Sequence, residues 1–150
     1  MIPFSRSAFL GSIPILAVLG ISSPQAGETM PPQVYEITTE TGMPHLEENL
    51  RYTTQHEKRC LPHQPLATAF PILGHPALKG CTLQNETRQE DAIYYTLVCD
   101  GGHGTTGQAT WHVDEHRIRG TLNIKLGGKN MTFYQRITAT PLGHCATPMK

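Results

Sequence analysis

The chain has 150 residues, 38% of them hydrophobic and 16% charged, and its 12 lysines and arginines balance 12 aspartates and glutamates. That length supports one domain, the charge balance excludes a dedicated nucleic-acid binder, and the apolar content excludes a disordered chain. The averages conceal an uneven distribution along the chain.

At the N-terminus, Arg6 precedes an uncharged stretch from Ala8 to Ile21 rich in Leu, Ile and Val, followed by Ser22, Ser23, Pro24, Gln25 and Ala26. This is the layout of a secretory signal peptide. The stretch is short for a bilayer span and contains Pro14, so a retained anchor is the weaker reading. Residues 1–26 are therefore expected to be a cleaved signal and residues 27–150 an exported domain, periplasmic or secreted, with no transmembrane segment in the mature chain. All four cysteines (Cys60, Cys81, Cys99, Cys145) lie in that exported part, where an even count implies two disulfides. No CxxC occurs, so nothing supports a thioredoxin-like redox site or a zinc ribbon.

From Val34 onward the hydrophobic pattern has period two and is broken by turn residues, which predicts strands and no long helix. The first two strands are expected over Val34–Thr41 and Leu50–Cys60, joined by a loop with Gly42, Met43 and Pro44. The segment Leu61–Lys79 carries four prolines and is expected to be a loop with one helical turn. A hairpin around Gln89, Glu90 and Asp91 sets Leu83 opposite Leu97, Asn85 opposite Tyr95, and Cys81 opposite Cys99. Opposed residues of an antiparallel pair come close enough for a disulfide, so this register favours Cys81–Cys99 and Cys60–Cys145 among the three possible pairings.

In the next strand Ala109, Trp111 and Val113 alternate with Thr110 and His112, and a turn at Asp114, Glu115 and His116 sets Trp111 opposite Gly120. Ile118, Gly120, Leu122, Ile124 and Leu126 alternate with polar residues. Gly127-Gly128 is expected to form a two-residue hairpin turn. That turn would set Ile124 opposite Met131, Leu122 opposite Phe133 and Ile118 opposite Ile137. The predicted fold is all-β: a single antiparallel meander of about seven strands, forming a strongly curved sheet or open barrel, with two disulfides.

Candidate chemistry is sparse. His112-Val113-Asp114-Glu115-His116 fits the H-x-x-E-H pattern of inverted zinc peptidases, but that chemistry needs a helix to bring both histidines to one face. Here the motif straddles an expected turn, and no acidic ligand follows Glu115. No G-x-S-x-G elbow is present. The domain is expected to be non-enzymatic, without a cofactor. A copper or zinc site would draw on His103, His112 and His116. A lipocalin-like carrier of a small apolar ligand would line its cavity with Tyr52, Tyr95, Trp111, Leu122 and Phe133.

Charge supplies a third candidate: residues 27–115 hold 12 acids and 5 bases, whereas residues 116–150 hold 6 bases and no acid. Arg117, Arg119, Lys125 and Arg136 are expected on the outward face of the last two strands, a docking surface for an envelope protein or other anionic partner. The bland alternative is charge balance, with the last strand brought beside the first, where Glu36 and Glu40 also face outward.

Several short motifs also occur in a recognisable order. They are Tyr35-Glu36-Ile37-Thr38 soon after the signal, Met43-Pro44, Cys60 ending the second strand, the Cys81 and Cys99 pair, and a closing Gly143-His144-Cys145. In this order the mature chain resembles the bacterial periplasmic family called domain of unknown function 3617 (DUF3617), with Gln33-Val34-Tyr35-Glu36 where the family usually carries Gly-x-Trp-Glu. The resemblance implies export, a small β-rich domain and disulfides, and it supplies no catalytic residue. The expectation is an exported binding or envelope-associated interaction module, with the apolar carrier and the metal binder as alternatives.

Overall fold

The structure, a computed structural model, describes residues 27, 29–44, 51–101, 104–127 and 131–146. The expected signal segment, residues 1–26, lies outside the described residues, as does His103.

The strands are β1 (Thr29–Met30), β2 (Gln33–Gly42), β3 (Tyr52–Leu61), β4 (Gln64–Pro65), β5 (Cys81–Gln89), β6 (Ala92–Cys99), β7 (Thr106–Val113), β8 (Ile118–Leu126) and β9 (Met131–Gly143). Seven of them form one antiparallel sheet in the order β3-β2-β9-β8-β7-β6-β5, and β1 and β4 pair separately. Strands β5 to β9 are a meander, and the β2–β3 hairpin joins it through β2 beside β9. The last strand therefore does lie beside the first long one.

The sheet is neither closed nor strongly curled, which corrects the expected barrel-like curvature. Its edges are β3 and β5, and β3 explains why they stay apart. Gln55, Glu57 and Arg59 lie opposite Thr39, Ile37 and Tyr35, on the core side of the sheet, yet they are exposed. Closing the sheet would bury the Gln55 carboxamide and the charges of Glu57 and Arg59 in the core, a cost no single ion pair repays.

The core lies on one face. Inward positions on β2 (Tyr35, Ile37), β6 (Ile93, Tyr95, Leu97), β7 (Ala109, Trp111), β8 (Ile118, Leu122, Ile124) and β9 (Ile137, Ala139) are buried. Their cover is the proline-rich segment between β3 and β5. It holds three short 3-10 turns, Leu66–Thr68, Pro71–Gly74 and Pro76–Leu78, where one helical turn in a loop was expected. It is a strap over the sheet, burying Leu66, Phe70, Ile72 and Leu78, with Met30 alongside. Phe70 packs on Trp111 with ring centroids 4.7 Å apart.

One polar side chain fastens the strap. Gln135, 4% exposed on the inward face of β9, accepts the Ile72 N–H through Oε1 at 3.1 Å and donates from Nε2 to Thr41 Oγ1 at 2.9 Å. Two disulfides bracket the strap. Cys60–Cys145 ties the end of β3 to the tail after β9, and Cys81–Cys99 closes β5 on β6 at directly opposed positions.

Two local registers differ from expectation. Across β8 and β9, Leu126 faces Met131, Ile124 faces Phe133, Leu122 faces Gln135, and Gly120 faces Ile137. The connection thus spans residues 127–130 and not a two-residue Gly127-Gly128 turn. A shift of two residues leaves every side chain on its face, so the hydrophobic pattern cannot tell the two registers apart. In β5 the ladder shifts between Gln84 and Thr87, and Asn85 has φ 56°, a bulge instead of the expected Asn85–Tyr95 pair. Beside the bulge, Tyr95 Oη donates to Glu86 Oε2 at 2.5 Å.

Candidate functional site

The strap covers one face of the sheet; on the other, the outward side chains of the described residues are exposed or partly exposed. Period-two alternation places Thr106, Gln108, Thr110 and His112 of β7 on that outward face. With them stand Arg119, Thr121, Asn123 and Lys125 of β8, and Thr132, Tyr134, Arg136 and Thr138 of β9.

Register sorts these residues into rows. One row crosses five strands as Gln108, Asn123, Tyr134, Gly42 and Tyr52. On one side of it runs Thr106, Lys125 and Thr132; on the other, Thr110, Thr121, Arg136 and Glu40. An open groove of about 470 Å³ lies over this region, lined by residues 106–108, 123–125 and 132–134. Its outward side chains are hydroxyls, carboxamides, one phenol and one ammonium.

The phenol is held in place. A Cβ at Gly42 would fall within the space of the Tyr134 ring, so the glycine is what lets the ring lie against β2. Tyr52, 58% exposed, stands 6.4 Å from Tyr134 between centroids, and the Arg136 guanidinium carbon is 5.0 Å above the Tyr134 ring. The last contact is a cation–π arrangement.

The basic residues occupy this face in part. Arg119, Lys125 and Arg136 are exposed and outward, while Arg117 sits in the turn before β8. Balancing acids sit toward β2: Glu40 faces Arg136 across the β2–β9 pair, and Glu36 is 3.7 Å from Lys58. In the β7–β8 turn, the Asp114 carboxylate accepts the backbone N–H of His116 at 2.9 Å and of Arg117 at 2.7 Å. The hydrogen bond from His116, aided by that from Arg117 and by the Arg119 charge, holds the Asp114 carboxyl below its ordinary value.

The peptidase-like motif spans the end of β7 and this turn, with no helix. His112 is 3.6 Å from Asp91 through Nδ1, and His116 stands in the turn. Among the described residues, no three His, Cys, Asp or Glu side chains converge to hold a metal ion.

The five residues expected to line an apolar cavity do not share one. Trp111 and Leu122 are 0% exposed and Tyr95 3%, all packed in the core; Phe133 is partly buried against it. Tyr52 is on the outward face, because β3 carries it opposite Gly42. The void left between strap and sheet is about 20 Å³, an order of magnitude below a small-molecule pocket. A further open cleft of about 330 Å³ lies at the end of the strap, beside Ala77, Lys79 and the Cys81–Cys99 bond.

The carboxamides Gln108 and Asn123 and the ring of Tyr134 carried no signal in the sequence, since polar residues alternate with core residues on any half-buried strand. Only the period-two alternation within each strand could have pointed to their outward direction. No family model, curated protein or solved structure matches the chain.

Proposed function

We propose that the protein is an exported, disulfide-braced, non-enzymatic binding domain that meets an anionic partner through the outward face of β7, β8 and β9. The observation that carries this reading is the open groove whose lining includes Lys125 and no Asp or Glu, with Arg119 and Arg136 on the same face. A groove edged by cations and without an acid in its lining focuses the field on an approaching anion.

Other features support it. Two disulfides and no free cysteine among the described residues suit an oxidising compartment. No helix of the described residues is long and apolar enough to cross a membrane. The resemblance to domain of unknown function 3617 implies a periplasmic location, as does the signal-like segment.

The test is retention of the oxidised protein on immobilised polyphosphate as salt is raised. Lys125→Glu is expected to release the protein at much lower salt, whereas Lys79→Glu, an equal change of charge on the strap, changes retention little. Equal effects of both substitutions would reduce the reading to net charge and overturn it.

A further inference from the structure

The outward groove differs from a plain basic patch in what stands between its cations. Gln108 and Asn123 face each other across β7 and β8, and Asn123 in turn faces Tyr134 across β9. Each carboxamide offers two N–H donors and a carbonyl acceptor. Among the described residues, no hydrogen bond engages the side chain of either. By contrast, Gln84 and Gln135 elsewhere in the sheet spend their amides on Thr82, Thr41 and Ile72.

The row continues over Gly42 to Tyr52, so two amides and two phenol rings lie in one line across five strands. At the usual strand separation that line is about 19 Å long. Lys125 flanks it on one side and Arg136 on the other. The groove covers the β7, β8 and β9 part of that line and is open, which suits a chain lying across it more than a small molecule enclosed by it.

We infer that this row is a binding site for an acidic oligosaccharide. The inference rests on the anionic-partner reading above and names the ligand class. Adjacent hydroxyls of a sugar each donate and accept, and unpaired carboxamides match them with two hydrogen bonds apiece, where ammonium groups would only donate. The exposed Tyr52 ring supplies flat apolar surface for the C–H face of a sugar. The cations on both flanks take its carboxylates or other anionic substituents. The lining holds no acid to receive a cationic ligand.

The experiment is calorimetric titration of the oxidised protein with three probes: hexagalacturonate, which has both diols and charge; maltohexaose, which has diols alone; and polyphosphate, which has charge alone. Hexagalacturonate is expected to bind at least about tenfold more tightly than maltohexaose. Asn123→Ala and Gln108→Ala are each expected to weaken hexagalacturonate by about tenfold, the loss of one well-formed hydrogen-bonding group, and to leave polyphosphate unchanged. Lys125→Ala weakens both anions. Both amide positions are exposed, and unchanged melting temperatures would exclude unfolding as the cause.

Hexagalacturonate binding that is indifferent to both amide substitutions overturns the saccharide site. If Lys125→Ala then still weakens both anions, the anionic-partner reading survives alone. Equal affinity for maltohexaose and hexagalacturonate overturns the acidic part of the inference. No binding of either anion removes both readings.

Discussion

Replacing Gln135 by leucine removes a side chain that ties the strap to β9 through Ile72 and β9 to β2 through Thr41, while keeping a residue of similar size opposite Leu122. Two interactions go. The Thr41 hydroxyl is part-buried and can turn to water, so its bond is worth about 1 kcal/mol. The Ile72 N–H is buried and loses its acceptor, which costs about 1–3 kcal/mol. The new methyl groups recover part of this, leaving a net loss of about 2 kcal/mol. For a domain of this size that lowers the melting temperature by about 6–10 °C. Urea denaturation with the disulfides intact measures the first quantity, and amide exchange at Ile72 locates it. Gln135→Glu sharpens the test. It retains an acceptor for Ile72 but buries a carboxylate whose folded-state pKa rises above the unfolded value of about 4.3. Its deficit is therefore greatest at neutral pH and shrinks as pH falls through the raised pKa. Protection of the Ile72 amide that is unchanged in Gln135→Leu, with stability within about 0.5 kcal/mol of wild type, would refute the claim that this amide holds the strap.

Three more expectations follow from the geometry. Removing Cys60–Cys145, with 85 residues of separation, is expected to cost more than removing Cys81–Cys99, with 18: about 4.5 against about 3 kcal/mol on the chain-entropy account, read from paired alanine variants in urea. Gly120→Ala would put a methyl 2.5 Å from the Trp111 ring. That ring is pinned against Phe70, so a loss of about 3 kcal/mol and altered tryptophan fluorescence are expected. Gly42→Ala meets the Tyr134 ring, which lies on the outward face and outside the core, so it should cost less. The depressed Asp114 carboxyl stabilises the β7–β8 turn fully above its unfolded pKa near 4, and that contribution is lost as pH falls through the lower folded value. Asp114→Asn, which keeps the acceptor, should flatten the acid dependence of unfolding more than it lowers stability at neutral pH.

Which residues face the core was legible from the chain, because strand alternation is local. The buried set of β7, β8 and β9 and the outward positions of Arg119, Lys125 and Arg136 follow from period two. The Cys81–Cys99 bond and the stacking of Trp111 on Gly120 follow from hairpins whose turns are well marked. The bulge at Asn85 and Glu86 was not legible, since one extra residue in a polar, exposed stretch disturbs no hydrophobic pattern. Nor was the role of the strap. Its prolines announce a break in regular structure, but a segment without a period gives no sign of which sheet face it covers, and Leu66, Phe70, Ile72 and Leu78 are buried only because β7, β8 and β9 present an apolar surface to them.

By itself, then, the sequence determined strand content, strand faces, the even cysteine count and the displacement of positive charge toward the C-terminus. Tertiary structure alone decided that β2 lies beside β9, that the sheet stays open at β3, and that Gln108, Asn123, Tyr134 and Tyr52 form one row. The physical reason is the same in each case. Side-chain direction repeats every two residues and is set by the backbone of a single strand, whereas neighbours across strands depend on register and strand order. These are set by loops, by the strap and by the cost of burying the charges on β3.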